Sequence, residues 1–172
     1  MANEESESSV RSQGVSQFDF DPFIKVVLPL TIALIIAALF RLPFLADLPP
    51  GLNFDEAGNG VAALEVAKGD FKLLWPIGGG KEPLIAYLLQ PLFWIFGPTT
   101  LALRLYAALW GIGTVAATWF VAKSLFAYED DNNLMRWIPF IAALGLATAY
   151  WHISYSRIAF RAAAMPALEA LA

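Results

Sequence analysis

VVLPLTIALIIAALFRLPFLADLPPGLNFDE, residues Val26–Glu56, sets the fold class of this chain. Val26–Phe40 carries no charge, and the apolar run as a whole extends over about residues 23–45. Roughly 20 such residues cross the hydrocarbon core of a bilayer, so the stretch is read as a transmembrane helix. Pro29 falls near its start, where the first turn has no hydrogen bond for proline to break. Arg41 is read as snorkelling to the far interface. Leu48, Pro49, Pro50 and Gly51 then make a stiff exit turn, and the carboxylates Asp55 and Glu56 follow at once. Charged side chains are costly near a bilayer, so a pair placed where a helix leaves lipid marks a candidate functional site.

Composition points the same way. The 172 residues are 58% hydrophobic with a mean hydropathy of +0.58, against roughly 45–50% apolar residues in soluble domains. A net charge of -4 with no basic stripe argues against a nucleic-acid surface. The chain has no cysteine, which excludes disulfides, thiolate catalysis and cysteine metal sites. Residues 1–21 are polar, rich in Ser, Glu and Gln, and read as a disordered tail. The tail is acidic and the apolar core starts too late for a cleavable signal peptide. Residues 22–172 form the transmembrane domain. From about residue 163 the chain reads as the opening of a further apolar helix, so it is expected to be the N-terminal portion of a longer membrane protein.

Two more spans are expected, over about 101–126 and 137–155, leaving 46–100 as the first external loop. Asn53 precedes Glu56 by three residues, a variant capping box that predicts a surface helix over 54–68 ending at Gly69. Residues 83–96 are apolar but few, and Pro91 interrupts them; a short span and an interfacial helix both suit them. The charges favour the interface. That choice places Lys123 and Arg136 on the cytoplasmic side with Arg11, Lys25 and the N-terminus, although Glu129, Asp130 and Asp131 share that side. Arg157 and Arg161 then lie outside, with Asp55, Lys81 and Glu82. Gly111 and Gly113 allow close helix contact in the second span.

Asp55 and Glu56 sit in a first helical turn, where the positive end of the helix favours ionised carboxylates. An ionised, partly desolvated carboxylate suits a general base for a hydroxyl; capping and hydration are the alternative. Gly78, Gly79 and Gly80 let backbone approach a ligand, and Lys81, beside Glu82, can meet an anion. A phosphate-binding P-loop is excluded, since its Gly-x-x-x-x-Gly-Lys-Ser/Thr pattern is missing. Arg157 and Arg161, four apart, are expected on one helix face, suited to a lipid-linked phosphate or to lipid headgroups. Arg104, at the start of the second span, is read as an anchor for that end of the helix. His152, the single histidine, lies among Tyr150, Trp151 and Tyr155 in an aromatic belt and reads as structural. Trp75, Phe93 and Trp94 read as interface anchors.

The order of these features resembles the N-terminal part of the integral-membrane glycosyltransferases of the GT-C fold. It runs from a transmembrane helix to Asp55-Glu56, a short helix closing on Gly69-Asp70, then Lys81 to Leu84, Phe96-Gly97, and Arg104 opening the next helix. The nearest likeness is to family 39, with its protein O-mannosyltransferases and aminoarabinose transferases, over about residues 23–161. The resemblance implies an all-α polytopic bundle in the cell membrane, with interfacial helices in the first external loop. It implies transfer of a sugar from a polyprenyl-phosphate donor to a hydroxyl acceptor on a protein, lipid or glycan, at the non-cytoplasmic face. Asp55 matches the acidic residue acting as base or acceptor-positioning group, with Glu56 beside it; Lys81 and Glu82 match a loop near the donor phosphate. Relatives often carry an acidic residue after the third span. Here Arg157 and Arg161 occupy that neighbourhood, which leaves the donor and any divalent-cation requirement open. The 172 residues alone are expected to be inactive. A rival reading is a non-enzymatic transport or assembly module whose interface charges hold lipid headgroups.

Overall fold

A computed structural model describes residues 21–76, 80, 82–126 and 135–172. The polar tail over residues 1–20 and the acidic stretch Glu129–Asp131 lie outside the described residues. The described chain is mostly helical and contains no strand. Its helices are α1 (Asp21–Arg41), α2 (Phe54–Ala67), α3 (Leu84–Leu88), α4 (Gln90–Phe96), α5 (Thr100–Phe126), α6 (Ile138–Thr148), α7 (Tyr150–Tyr155) and α8 (Met165–Leu171). Short 3-10 turns cover Met135–Trp137 and Arg161–Ala164. Among the described residues only α5, with 27 residues, is both long and apolar enough to cross a membrane. Val26–Arg41, Leu84–Phe96 and Ile138–Thr148 are shorter apolar helices.

Local chemistry sets the boundaries. The apolar run expected to stay helical to residue 45 ends instead at Arg41, because Pro43 supplies no amide and disfavours helical backbone in the residue before it. The capping box is present: the Asn53 side chain accepts from Glu56 N, and Glu56 accepts from Asn53 N. α2 closes where expected, with Gly69 at φ +90°. Asp70 N donates to Glu65 O and Gly69 N to Val66 O, the paired bonds of a left-handed helix stop. Residues 83–96 form two short helices rather than one, separated at Leu89; Pro91 enters the second in its first turn. The Thr99 hydroxyl accepts from Ala102 N at 3.2 Å and caps α5.

The expected third span over 137–155 is broken. Ala149 is extended (ψ 118°), so α6 stops at Thr148 and α7 starts afresh at Tyr150. Arg41 is the reason. Its guanidinium donates to Ala147 O at 2.9 Å and Leu146 O at 3.4 Å, taking carbonyls that a continuous helix would have given to its own amides. Arg41 therefore does not snorkel; it is fully buried.

α1, α5 and α6 pack around Ala33, Ala37, Val115, Trp119, Ala143 and Ala147. Four of these six are alanines, and such a seam lets backbones approach closely. α1 and α6 end side by side, joined through Arg41, while α5 begins at that same end with Arg104 bonded to Leu45 O. The three helices thus run up, down and up. A second cluster, with Ala63, Ile85, Leu89, Leu103, Tyr106 and Ala159, seats α2, α3 and α4 against the first half of α5.

Of the two glycines expected to permit close approach, Gly111 is the one that does. A Cβ there would overlap Ser156 Cβ and lie 3.2 Å from Arg41 Nε, whereas a Cβ on Gly113 meets nothing within 4 Å. Gly111→Ala should lower stability by about 1–3 kcal/mol through overpacking. Gly113→Ala should leave it unchanged or slightly raised. Thermal unfolding midpoints of the two variants in one detergent check the contrast.

Candidate functional site

The polar centre of this end of the bundle is Glu56, whose residue is 1% exposed. Oε1 accepts from Arg104 Nε at 3.0 Å and from Ala159 N at 3.1 Å. Oε2 accepts from Asn53 N at 3.1 Å and from Arg104 Nη2 at 3.4 Å. Arg104, also fully buried, donates further to Leu45 O at 3.3 Å and to Gly51 O. Asn59, one turn along α2, adds a bond from Nδ2 to Ala159 O at 2.8 Å. One carboxylate and one guanidinium thereby hold the exit turn after α1, the start of α2, the start of α5 and the strand of backbone after α7.

A carboxylate with four donors around it has its lone pairs committed, so Glu56 anchors this end of the bundle. Arg104 likewise sits away from the interface anchoring expected of it: it is dry and paired. Its signal was present in the sequence, since an arginine in an apolar helix implies a buried partner. Asp55, by contrast, lies exposed in the first turn of α2. The capping box and the Arg104 pair fix that turn, so Asp55, an exposed residue, is carried on a rigid base.

The two arginines expected on one helix face are separated, because α7 ends at Tyr155 and Arg157 falls in the turn that follows. Arg157 reaches back to the end of α1. Nη1 donates to Phe40 O and Arg41 O, both at 3.1 Å, and Nη2 to Pro43 O at 2.9 Å and Leu48 O at 3.3 Å. A guanidinium over exposed helix-end carbonyls is electrostatically well placed, and its two Nη groups are thereby occupied. Arg161 remains at the surface and pairs with Glu82 at 2.9 Å. The structure therefore brings Glu82, Arg161 and Glu56 to one end of the bundle, while Lys81 lies outside the described residues.

Two neighbouring features complete this end. A groove of about 510 Å³ is lined by Pro49, Tyr150, Trp151, Ser154, Tyr155 and Arg157. Trp151 and Tyr155 stack along it, with ring centroids 6.3 Å apart. The loop after α2 is braced by Lys72, which bonds Asp70 at 2.6 Å and Glu65 at 3.4 Å and lies 4.7 Å from the Trp75 ring centroid. The Asp70 hydrogen bond, with Glu65 behind it, holds the Lys72 ammonium above its ordinary range. Among the described residues, no three carboxylate or imidazole groups gather as a metal-ligand set.

Breaking a buried ion pair leaves an uncompensated charge and costs about 3–5 kcal/mol. Arg104→Met should destabilise by that amount, and pairing it with Glu56→Gln should restore a large part of the loss. Asp55→Asn should cost no more than about 1 kcal/mol, the usual range for a charge and its interactions at an exposed position. Denaturant unfolding of the four proteins in detergent measures both effects.

The chain matches no family model, and comparison with curated proteins and with solved structures finds no match.

Proposed function

We propose that this chain is the N-terminal part of a polytopic membrane glycosyltransferase of the GT-C type, similar to family 39. In this reading it transfers a sugar from a polyprenyl-phosphate donor to a hydroxyl acceptor at the non-cytoplasmic membrane face. The observation that carries the reading is the contrast between adjacent carboxylates. Glu56 is consumed in building the site, and Asp55 stands exposed on the turn that Glu56 immobilises. Asp55 is the general base, drawing the proton from the acceptor hydroxyl as its oxygen attacks the anomeric carbon. A single direct displacement of this kind inverts that carbon. Arg161, with Lys81 nearby in sequence, offsets the charge that develops on the departing phosphate. Arg157 serves the site by holding the end of α1 in place.

The rival reading, a lipid-headgroup or assembly module, draws on the same arginines. Both Arg157 and Arg161 are engaged by protein groups, as cations with purely architectural roles are. Asp55→Asn in the complete protein separates the two. The transferase reading expects transfer to fall about 10²–10⁴-fold, with expression and membrane insertion intact. Transfer at the wild-type rate would remove Asp55 from the chemistry, and absence of any sugar transfer by the intact protein would favour the module.

A further inference from the structure

We propose that His152 and Arg41 form a proton-operated latch across the break between α6 and α7, released when the imidazole is protonated. Arg41 is fully buried, and its guanidinium has four partners: Ala37 O at 3.1 Å, Ala147 O at 2.9 Å, Leu146 O at 3.4 Å and His152 Nδ1 at 2.7 Å. Three are carbonyls. The fourth is the one that can change. A guanidinium donates and cannot accept, so Nδ1 must offer its lone pair, which places the ring proton on Nε2 and keeps the imidazole neutral. A proton arriving at Nδ1 consumes that lone pair and sets a second cation, on a half-buried ring, at hydrogen-bond distance from the fully buried guanidinium.

Little around the pair would absorb the added charge. α6 carries no ionisable residue. α5 offers Arg104 at this end, already joined to Glu56, and α7 offers only the phenols Tyr150 and Tyr155. The turn after α7 brings another cation, Arg157, committed to the carbonyls that end α1. Arg41 Nε is itself buried without a hydrogen-bond partner, so the guanidinium has no spare compensation. Release of Arg41 leaves Ala147 O without its donor and Leu146 O with the Ala149 amide alone, and loosens the extended link at Ala149. Everything beyond that link then gains freedom, including Ala159, which donates to Glu56, and Arg161.

The sign follows from the neutral ring. The stability that the contact contributes is complete above about pH 6.5, where a freed histidine is also neutral, and diminishes progressively below it, which makes opening easier. This inference stands apart from sugar transfer and needs no donor to test. The complete protein in lipid nanodiscs is followed by amide hydrogen exchange over residues 146–156, corrected for intrinsic pH dependence. Lowering the pH from about 7.5 to about 5 should raise exchange there roughly 10–30-fold in the wild type. His152→Asn, which retains an acceptor near the Nδ1 position but does not titrate, should show no such rise. Arg41→Gln should exchange rapidly at both pH values. A flat wild-type response, an equal response in His152→Asn, or neutral-pH protection in Arg41→Gln equal to wild type would each overturn the latch.

Discussion

Burying the Glu56 carboxylate is the constraint around which the rest of the molecule is arranged. An ion taken out of water needs its solvation replaced by fixed donors, or its cost is several kcal/mol. Here the replacements come from Asn53, Arg104 and Ala159. Those donors belong to the loop after α1, to α5 and to the turn after α7. Satisfying one side chain therefore specifies how three separate parts of the chain meet. It also explains why α2, a helix with modest apolar content, holds a defined position: Gly60 approaches Leu103 and Asn59 bonds Ala159, so α2 lies close against α5.

Arginine is used in a consistent way at this end of the bundle. α1, α6 and the exit turn all finish in carbonyls that have lost their helical partners. Arg41 covers those of α6, Arg157 those of α1, and Arg104 those of Leu45 and Gly51. The arrangement is partly reciprocal, since the residue whose side chain closes α6 has its own carbonyl closed by Arg157. A lysine could not reproduce it, because an ammonium lacks the planar fork that reaches two carbonyls from each terminal nitrogen pair. Arg161, paired with Glu82 at the surface, is the exception, and it is the cation a ligand can reach without dismantling a helix end.

Much of the secondary structure was legible in the residues. The capping box at Asn53, the stop at Gly69 and the long apolar α5 follow from local rules, and each lies where those rules put it. The breaks were less so. Pro43 carried enough information to end α1 at Arg41, but apolar content alone favoured extending the span. The interruption at Ala149 is coupled to a distant residue: Arg41, 106 residues before Ala147, offers the donors that stabilise the break. The candidate site divides along the same line. Exposure of Asp55 and burial of Glu56 cannot be read from adjacent acidic letters, because the distinction rests on Arg104 and Ala159. Arg104 itself was visible as a charge in an apolar helix, and taking it as a partner for one of the two acids would have told them apart.

The donors around Glu56 also impose an order on assembly. Asn53 is close in sequence, Arg104 lies 48 residues on, and Ala159 a further 55 after that. During synthesis the carboxylate emerges early and has only its own capping amide for company. The guanidinium follows once α5 is made, and the last amide arrives only after α7. The loop between the first two long helices thus reaches its final form late, when the chain has already laid down the segment that will close over it.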